Sequence, residues 1–262
     1  MPAYRSPHDF VNSDLMPHKE VQIETQDGIC PAHVYHPDSP GPWPAVLLYM
    51  DGIGMRPAVL EVAERLADAG YYVLAPNLFY RVGYNAEYGV RVFEDPVTRA
   101  DLMTRIMPSA SSANVMRDTE AFLEHFDSQP NVRHGKIGIT GYCMGGRLSL
   151  YAAGYFGERI AAAASYHPGG LATDAPDSPH LMAPRISARV YVAGAIEDRS
   201  FDDAQKARLE EALTAAGVDH KIETYNARHG WVFTDTPAYD PKEAEHHWRT
   251  LLELFREKLG RG

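Results

Sequence analysis

Apolar residues fall into short unbroken runs that alternate with longer segments of helical spacing. Residues 45–50 (AVLLYM) are continuously apolar, the pattern of a strand buried on both faces of a parallel sheet. Residues 58–69 set Val59, Val62, Ala63, Leu66 and Ala69 in a helical stripe, and Gly70 suits the end of that helix. The alternation continues with a strand over 71–76, a strand over 136–140, a helix over 144–155, and strands over 160–166 and 189–194. A helix over 201–216 ends at Gly217, a last strand runs over 220–225, and a closing helix spans 241–258. Ahead of this series, extended stretches at 21–25 and 29–35 flank Asp27-Gly28, a hairpin signal. The Pro-rich segment 39–44 reads as a loop.

Strands alternating with helices predict an α/β fold, a mostly parallel central sheet with helices on both faces. Residues 1–18, with Pro2, Pro7 and Pro17 and no periodicity, read as an N-terminal arm, and 19–262 as a single domain. Residues 81–112, rich in Tyr, Arg, Met and Gly, are irregular. They suit either a lid over a site or a surface excursion with one or two short helices.

Composition narrows the function classes. The 262 residues suit one α/β domain, which often reaches about 250 residues. Net charge is −10, against the basic patches that nucleic acid requires. No apolar run approaches the roughly 18 residues of a membrane span, and the N-terminus lacks a signal-peptide apolar region. A cytoplasmic protein with no nucleic-acid or membrane partner is expected, as a monomer or a homodimer. Two cysteines, Cys30 and Cys143, exclude a disulfide scaffold and a multi-cysteine zinc site, although one bridge between them stays open. H-E-x-x-H, C-x-x-C and the phosphate-loop pattern are missing, so no metal and no cofactor are expected.

The strongest chemical signal is Gly141-Tyr142-Cys143-Met144-Gly145-Gly146, between a strand and a helix. G-x-C-x-G in that context is a nucleophile elbow with cysteine in place of serine. Small neighbours let the backbone pass close to a strained turn. The thiol sits at a helix N-terminus, where the dipole favours a thiolate, and the Met144 N–H faces the oxyanion position. A small core thiol in a glycine-rich turn gives the same five residues. An elbow predicts acid and base downstream, in that order. Asp198 ends a strand, with Glu197 as its rival, and His229 lies in the loop after the last strand. His246 and His247 read as a surface pair on the closing helix, while His167 follows a strand end and is a candidate to line a pocket. Trp231, Phe233, Tyr84 and Tyr142 suggest an aromatic-lined pocket, or core packing.

The stretches AVLLYMDGIGM (45–55), YYVLAPNLFYR (71–81), GKIGITGYCMGGR (135–147), VYVAGAIED (190–198) and YNARHGW (225–231) resemble the dienelactone hydrolase (carboxymethylenebutenolidase-like) family of α/β-hydrolases. The resemblance threads from about residue 20 to 258. It implies the α/β-hydrolase fold, a Cys143–Asp198–His229 triad, and an oxyanion hole made by the backbone N–H groups of Met144 and Gly52. Family members usually carry Glu at the position of Asp51, a carboxylate that holds the resting thiol; Asp51 is one methylene shorter, and a plain turn aspartate before Gly52 is the competing reading. The family's lactone carries a carboxylate held by two arginines. One matches Arg81, which otherwise reads as a solvated loop residue. The other position is Phe233 in this chain, so half of that clamp is missing unless Arg105, Arg147 or Arg199 replaces it.

The function expected is hydrolysis of a small ester or lactone through a Cys143 thioester. An acyltransferase using the same elbow, and a ligand-binding protein that keeps the fold without turnover, are the alternatives.

Overall fold

The computed structural model describes residues 17–84 and 90–260. Nearly all of the expected arm at 1–18 lies outside them. The first strand, β1 (His18–Thr25), pairs antiparallel with β2 (Gly28–Tyr35), Thr25 opposite Gly28. Gly28, at φ +133°, supplies the turn conformation that a side chain would oppose. The parallel set follows: β3 (Ala45–Tyr49), β4 (Tyr72–Pro76), β5 (Ile137–Tyr142), β6 (Ile160–Tyr166), β7 (Arg189–Ala195) and β8 (His220–Tyr225). These eight strands lie in one sheet in the order β1-β2-β4-β3-β5-β6-β7-β8. Only the β1–β2 and β2–β4 pairings are antiparallel.

The continuous apolar runs become central strands. Every residue of β3, β4 and β5 is buried, as strands covered on both faces require. The first helix, α1 (Pro57–Asp68), starts at Pro57, where the missing N–H is not needed, and buries Val59, Val62, Ala63 and Leu66. After β4 the chain makes a long excursion: a 3-10 turn (Tyr80–Val82), another (Val90–Phe93), α2 (Pro96–Asp101) capped by Asp95, a π-helical turn (Leu102–Ile106) and the single turn α3 (Met107–Ser109).

Three longer helices flank the rest: α4 (Ser112–Ser128), α5 (Met144–Tyr155) and α6 (Asp203–Ala215); α7 (Pro241–Leu259) closes the chain. Helix α4 does not stand out in the apolar pattern. Its stripe of Val115, Met116, Phe122, Leu123 and Phe126 is interrupted by Asp118 and Thr119, and both of those are buried. Two glycines of β5 show helices on opposite faces. A Cβ at Gly138 would meet Leu259 and Phe255 of α7 at 2.8 and 2.9 Å. A Cβ at Gly141, three positions on and so on the other face, would meet Gly145 of α5 at 2.0 Å. Helices α1 and α7 share a face, Arg65 of α1 bonding Glu245 and stacking on Trp248.

Candidate active site

The end of β5 turns into α5 through Cys143, a non-glycine residue at φ 53°, ψ −113°. Such a conformation costs about 1–3 kcal/mol and persists only where the surroundings over-determine it. They do so here. The Cys143 N–H donates to the Tyr166 carbonyl of β6 at 3.0 Å, and the Cys143 carbonyl accepts from Arg147 at 3.2 Å. Gly141 and Gly145 leave no room for a side chain: a Cβ at Gly145 would lie 2.4 Å from the Met50 carbonyl. The elbow is therefore wedged between α5 and the end of β3. Both cysteines are free; Cys30 is buried in β2, and its thiol is pushed up to about 12, chiefly by desolvation.

Beyond β8, His229 lies in the loop that leads to α7. Its Nδ1 is hydrogen-bonded to Asp198 Oδ2 at 2.7 Å. Asp198 follows β7, and its other oxygen accepts from the Ser200 N–H at 2.9 Å and the Ser200 hydroxyl at 2.5 Å. Burial pushes the Asp198 carboxyl up, but the His229 and Ser200 hydrogen bonds outweigh it and hold the group below its ordinary value. Burial works against the His229 cation in turn. The Asp198 carboxylate and the Cys143 sulfur overcome it, raising the imidazole to about 10. Glu197, the rival acid, is exposed at φ 53°.

These groups border one cavity of about 530 Å³. Cys143, His229 and Asp198 line it together with Gly52, His167, Ile196 and Glu197. Met144, the first residue of α5, follows the nucleophile directly. Phe93, Leu102 and Met107 of the 81–112 excursion also line the cavity, so this segment lies over the site. Strand ends and the loops beyond them thus converge where open α/β sheets place their ligands.

Other expected site residues are differently employed. Asp51 borders the cavity, but both its oxygens are held by Arg56, at 2.7 and 3.0 Å, and one also accepts from the Ile53 N–H. Arg56 in turn bonds Asp235 through Nε and Nη2, at 2.7 and 3.2 Å, donates to the Gly54 carbonyl, and stacks over Phe233 at 4.7 Å. The Phe233 ring, at the position of the missing second arginine, supports a buried guanidinium brought from the β3–α1 loop. Arg56 was not singled out from the sequence. The only local signal was its place in Met55-Arg56-Pro57, a charge at the entry to an apolar helix.

Arg81 does not line the cavity. It makes a bidentate pair with Asp118 of α4, at 2.7 and 2.8 Å, and donates to Asp27 of the β1–β2 turn. It ties the hairpin to α4, a structural task rather than a substrate-binding one. Tyr142 and Trp231 are fully buried and lie outside the cavity lining, so they are core. The Tyr142 hydroxyl is hydrogen-bonded to His247 at 2.8 Å, which also corrects the reading of His247 as a surface residue. Arg105 pairs with Asp101, Arg147 with Asp177 and the Gly170 carbonyl, and Arg199 is not in the lining. The one arginine lining the cavity, among the described residues, is the exposed Arg228 beside His229, a residue to which no sequence motif gives a role.

The family model named "Dienelactone hydrolase family" matches residues 30–259, nearly the whole described fold. The chain belongs to the dienelactone hydrolase family. It is accordingly a hydrolase. Two relatives, each named "Putative carboxymethylenebutenolidase", share its length: one from Synechocystis sp. is 27% identical over 91% of this chain and 96% of its own, and one from Methylorubrum extorquens is 29% identical over 91% and 80%. A crystal structure titled "Putative Dienelactone Hydrolase" from Klebsiella pneumoniae superposes with a TM-score of 0.80 at 23% identity, covering 92% of this chain and 99% of that one. That likeness establishes the α/β-hydrolase fold. No helix among the described residues is long and apolar enough to cross a membrane.

Proposed function

We propose that this hydrolase cleaves a small ester or lactone through a Cys143 thioester. The observation that carries the reading is the alignment of a strained, cavity-facing Cys143 with His229 and, 2.7 Å beyond it, Asp198. His229 takes the thiol proton, and the thiolate attacks the carbonyl carbon. Negative charge gathers on the carbonyl oxygen, where the N–H groups of Gly52 and of Met144 at the start of α5 would receive it. The C–O bond then breaks, and the departing oxygen takes the proton from His229. Water, deprotonated by the same imidazole, attacks the thioester; the acid is released and Cys143 regains its proton. Asp198 orients the imidazole and stabilises its cation.

A thiolate suits lactones and activated esters, whose alkoxide or enolate leaves readily. Asp51 does not act as a thiol-holding gate in this scheme, because Arg56 occupies both its oxygens. Arg228, in the cavity lining, is the residue this reading assigns to an anionic substituent. Hydrolysis of p-nitrophenyl acetate and of a carboxylate-bearing enol-lactone, with Cys143→Ala beside the native protein, tests the reading. Turnover that the variant loses supports it; failure of the native protein on both substrates, or full activity in the variant, refutes it.

A further inference from the structure

Strand β6 ends at Tyr166, paired with Tyr142 of β5, so Cys143 and His167 are the next residues off two adjacent strands. His167 continues the pairing, donating its N–H to the Ala193 carbonyl of β7 at 2.8 Å, and then turns at φ 37°, a left-handed value unusual for a side-chain-bearing residue. Its ring is fully buried and lines the cavity. It lies 5.1 Å from the His229 ring and 5.0 Å, edge to face, from Trp231. Neither ring nitrogen has a well-formed hydrogen bond among the described residues, its own backbone being a weak partner at most.

A buried imidazole with two unmet nitrogens is costly, and such a group in a native fold calls for an explanation. Packing does not supply one. A phenylalanine would make the same ring contacts without burying two polar atoms. Nor is His167 a second base. Burial, together with the neighbouring His229 and His247, holds it well below its ordinary value, so it stays neutral. A neutral imidazole offers one N–H donor and one acceptor nitrogen. What it lacks is a partner, and the cavity is the place from which one can come.

We propose that His167 is a substrate-binding residue that donates a hydrogen bond to an oxygen carried by the acyl part of the ester or lactone, close to the carbonyl that Cys143 attacks. The inference rests on the hydrolase reading above and names its substrate class: short acyl groups bearing an ether, hydroxyl or carboxylate oxygen near the scissile carbonyl. His167 leaves β6 directly beside the end of β5 that carries Cys143, so the contact is assigned to the part of the substrate nearest the attacked carbonyl.

Two esters of equal length separate this contact from general reactivity: p-nitrophenyl methoxyacetate, with an oxygen in the acyl chain, and p-nitrophenyl butyrate, with a methylene there. His167→Phe is expected to lower kcat/KM for the methoxyacetate about 3- to 10-fold more than for the butyrate, the scale of one lost hydrogen bond. His167→Asn, which tolerates the left-handed backbone and restores a donor, is expected to recover part of that difference. Equal losses on both esters, or none, would overturn the proposal and leave His167 a packing residue. Should His167→Phe fail to fold, His167→Met is read by the same ratio. If the native protein hydrolyses neither ester, the hydrolase reading fails and this inference falls with it. That outcome is distinct, because the parent reading is judged on native protein against Cys143→Ala and this one on a ratio between substrates.

Discussion

Arg56→Ala is the substitution whose consequence follows most directly from the structure. All five hydrogen bonds of the guanidinium end on acceptors of the same site: two on Asp51, two on Asp235 and one on the Gly54 carbonyl. Removing it leaves the Asp51 carboxylate buried without a counter-charge, and breaking a buried pair in this way costs about 3–5 kcal/mol. At roughly 2–4 °C per kcal/mol for a chain of this size, the melting temperature falls by about 6–20 °C. The loss depends on pH. Burial already raises the Asp51 carboxyl above its ordinary 3.8, against the pull of Arg56, and without Arg56 the rise is larger. A raised folded-state value means that the folded protein binds the proton more readily than the unfolded one. Stability from that proton is present below 3.8 and is lost as pH climbs through the raised value. The deficit of Arg56→Ala should therefore be smaller at pH 5 than at pH 8. Urea unfolding followed by circular dichroism at both pH values measures it. A deficit under about 1 kcal/mol, the size of a surface pair, would refute the buried-network reasoning, as would one equal at the two pH values.

Three further predictions concern the site and the scaffold. Asp198→Asn should lower kcat by on the order of 10³–10⁴-fold, because the imidazole loses both its orientation and its stabilised cation. The same pair gives a stability signature: His229 is raised from 6.5 to about 10, so its contribution is complete below 6.5 and lost as pH rises through about 10, and the melting difference between native protein and Asp198→Asn should close over that range. Arg228→Ala should raise KM roughly 5- to 10-fold for a carboxylate-bearing lactone and leave p-nitrophenyl acetate unaffected, an exposed cation being worth less than a buried one, whereas Arg81→Ala should lower the melting temperature and leave both KM values alone; the opposite assignment of the two effects would refute the placement of Arg228 at the cavity and Arg81 in the scaffold. Gly141→Ala should abolish soluble folded protein or the activity, since its Cβ would sit 2.0 Å from the Gly145 carbonyl oxygen, and a fully active variant would show that the elbow is not wedged.

Features that depend on neighbours along the chain are legible in the sequence. Continuous apolar runs placed the buried strands, and a helical stripe placed α1, because burial on one or both faces imposes its own period. Glycines around Cys143 and the chain order of cysteine, aspartate and histidine marked the candidate triad, since a strained turn admits few residue types. Pairing between distant segments, by contrast, emerges with the fold. By the resemblance, Arg81 and Phe233 fall at the two positions of a carboxylate clamp, yet Asp118 of α4 captures one and Arg56 stacks on the other. Helix α4 hid because Asp118, an acid, belongs to its buried face, and that burial makes sense only with Arg81 opposite it. Tyr142 and His247 looked like pocket and surface until the sheet and α7 closed over both. A charged or polar side chain carries no mark in the sequence of whether its partner is water, a ligand or another part of the chain; burial and the partner's position decide that, and both come from the fold.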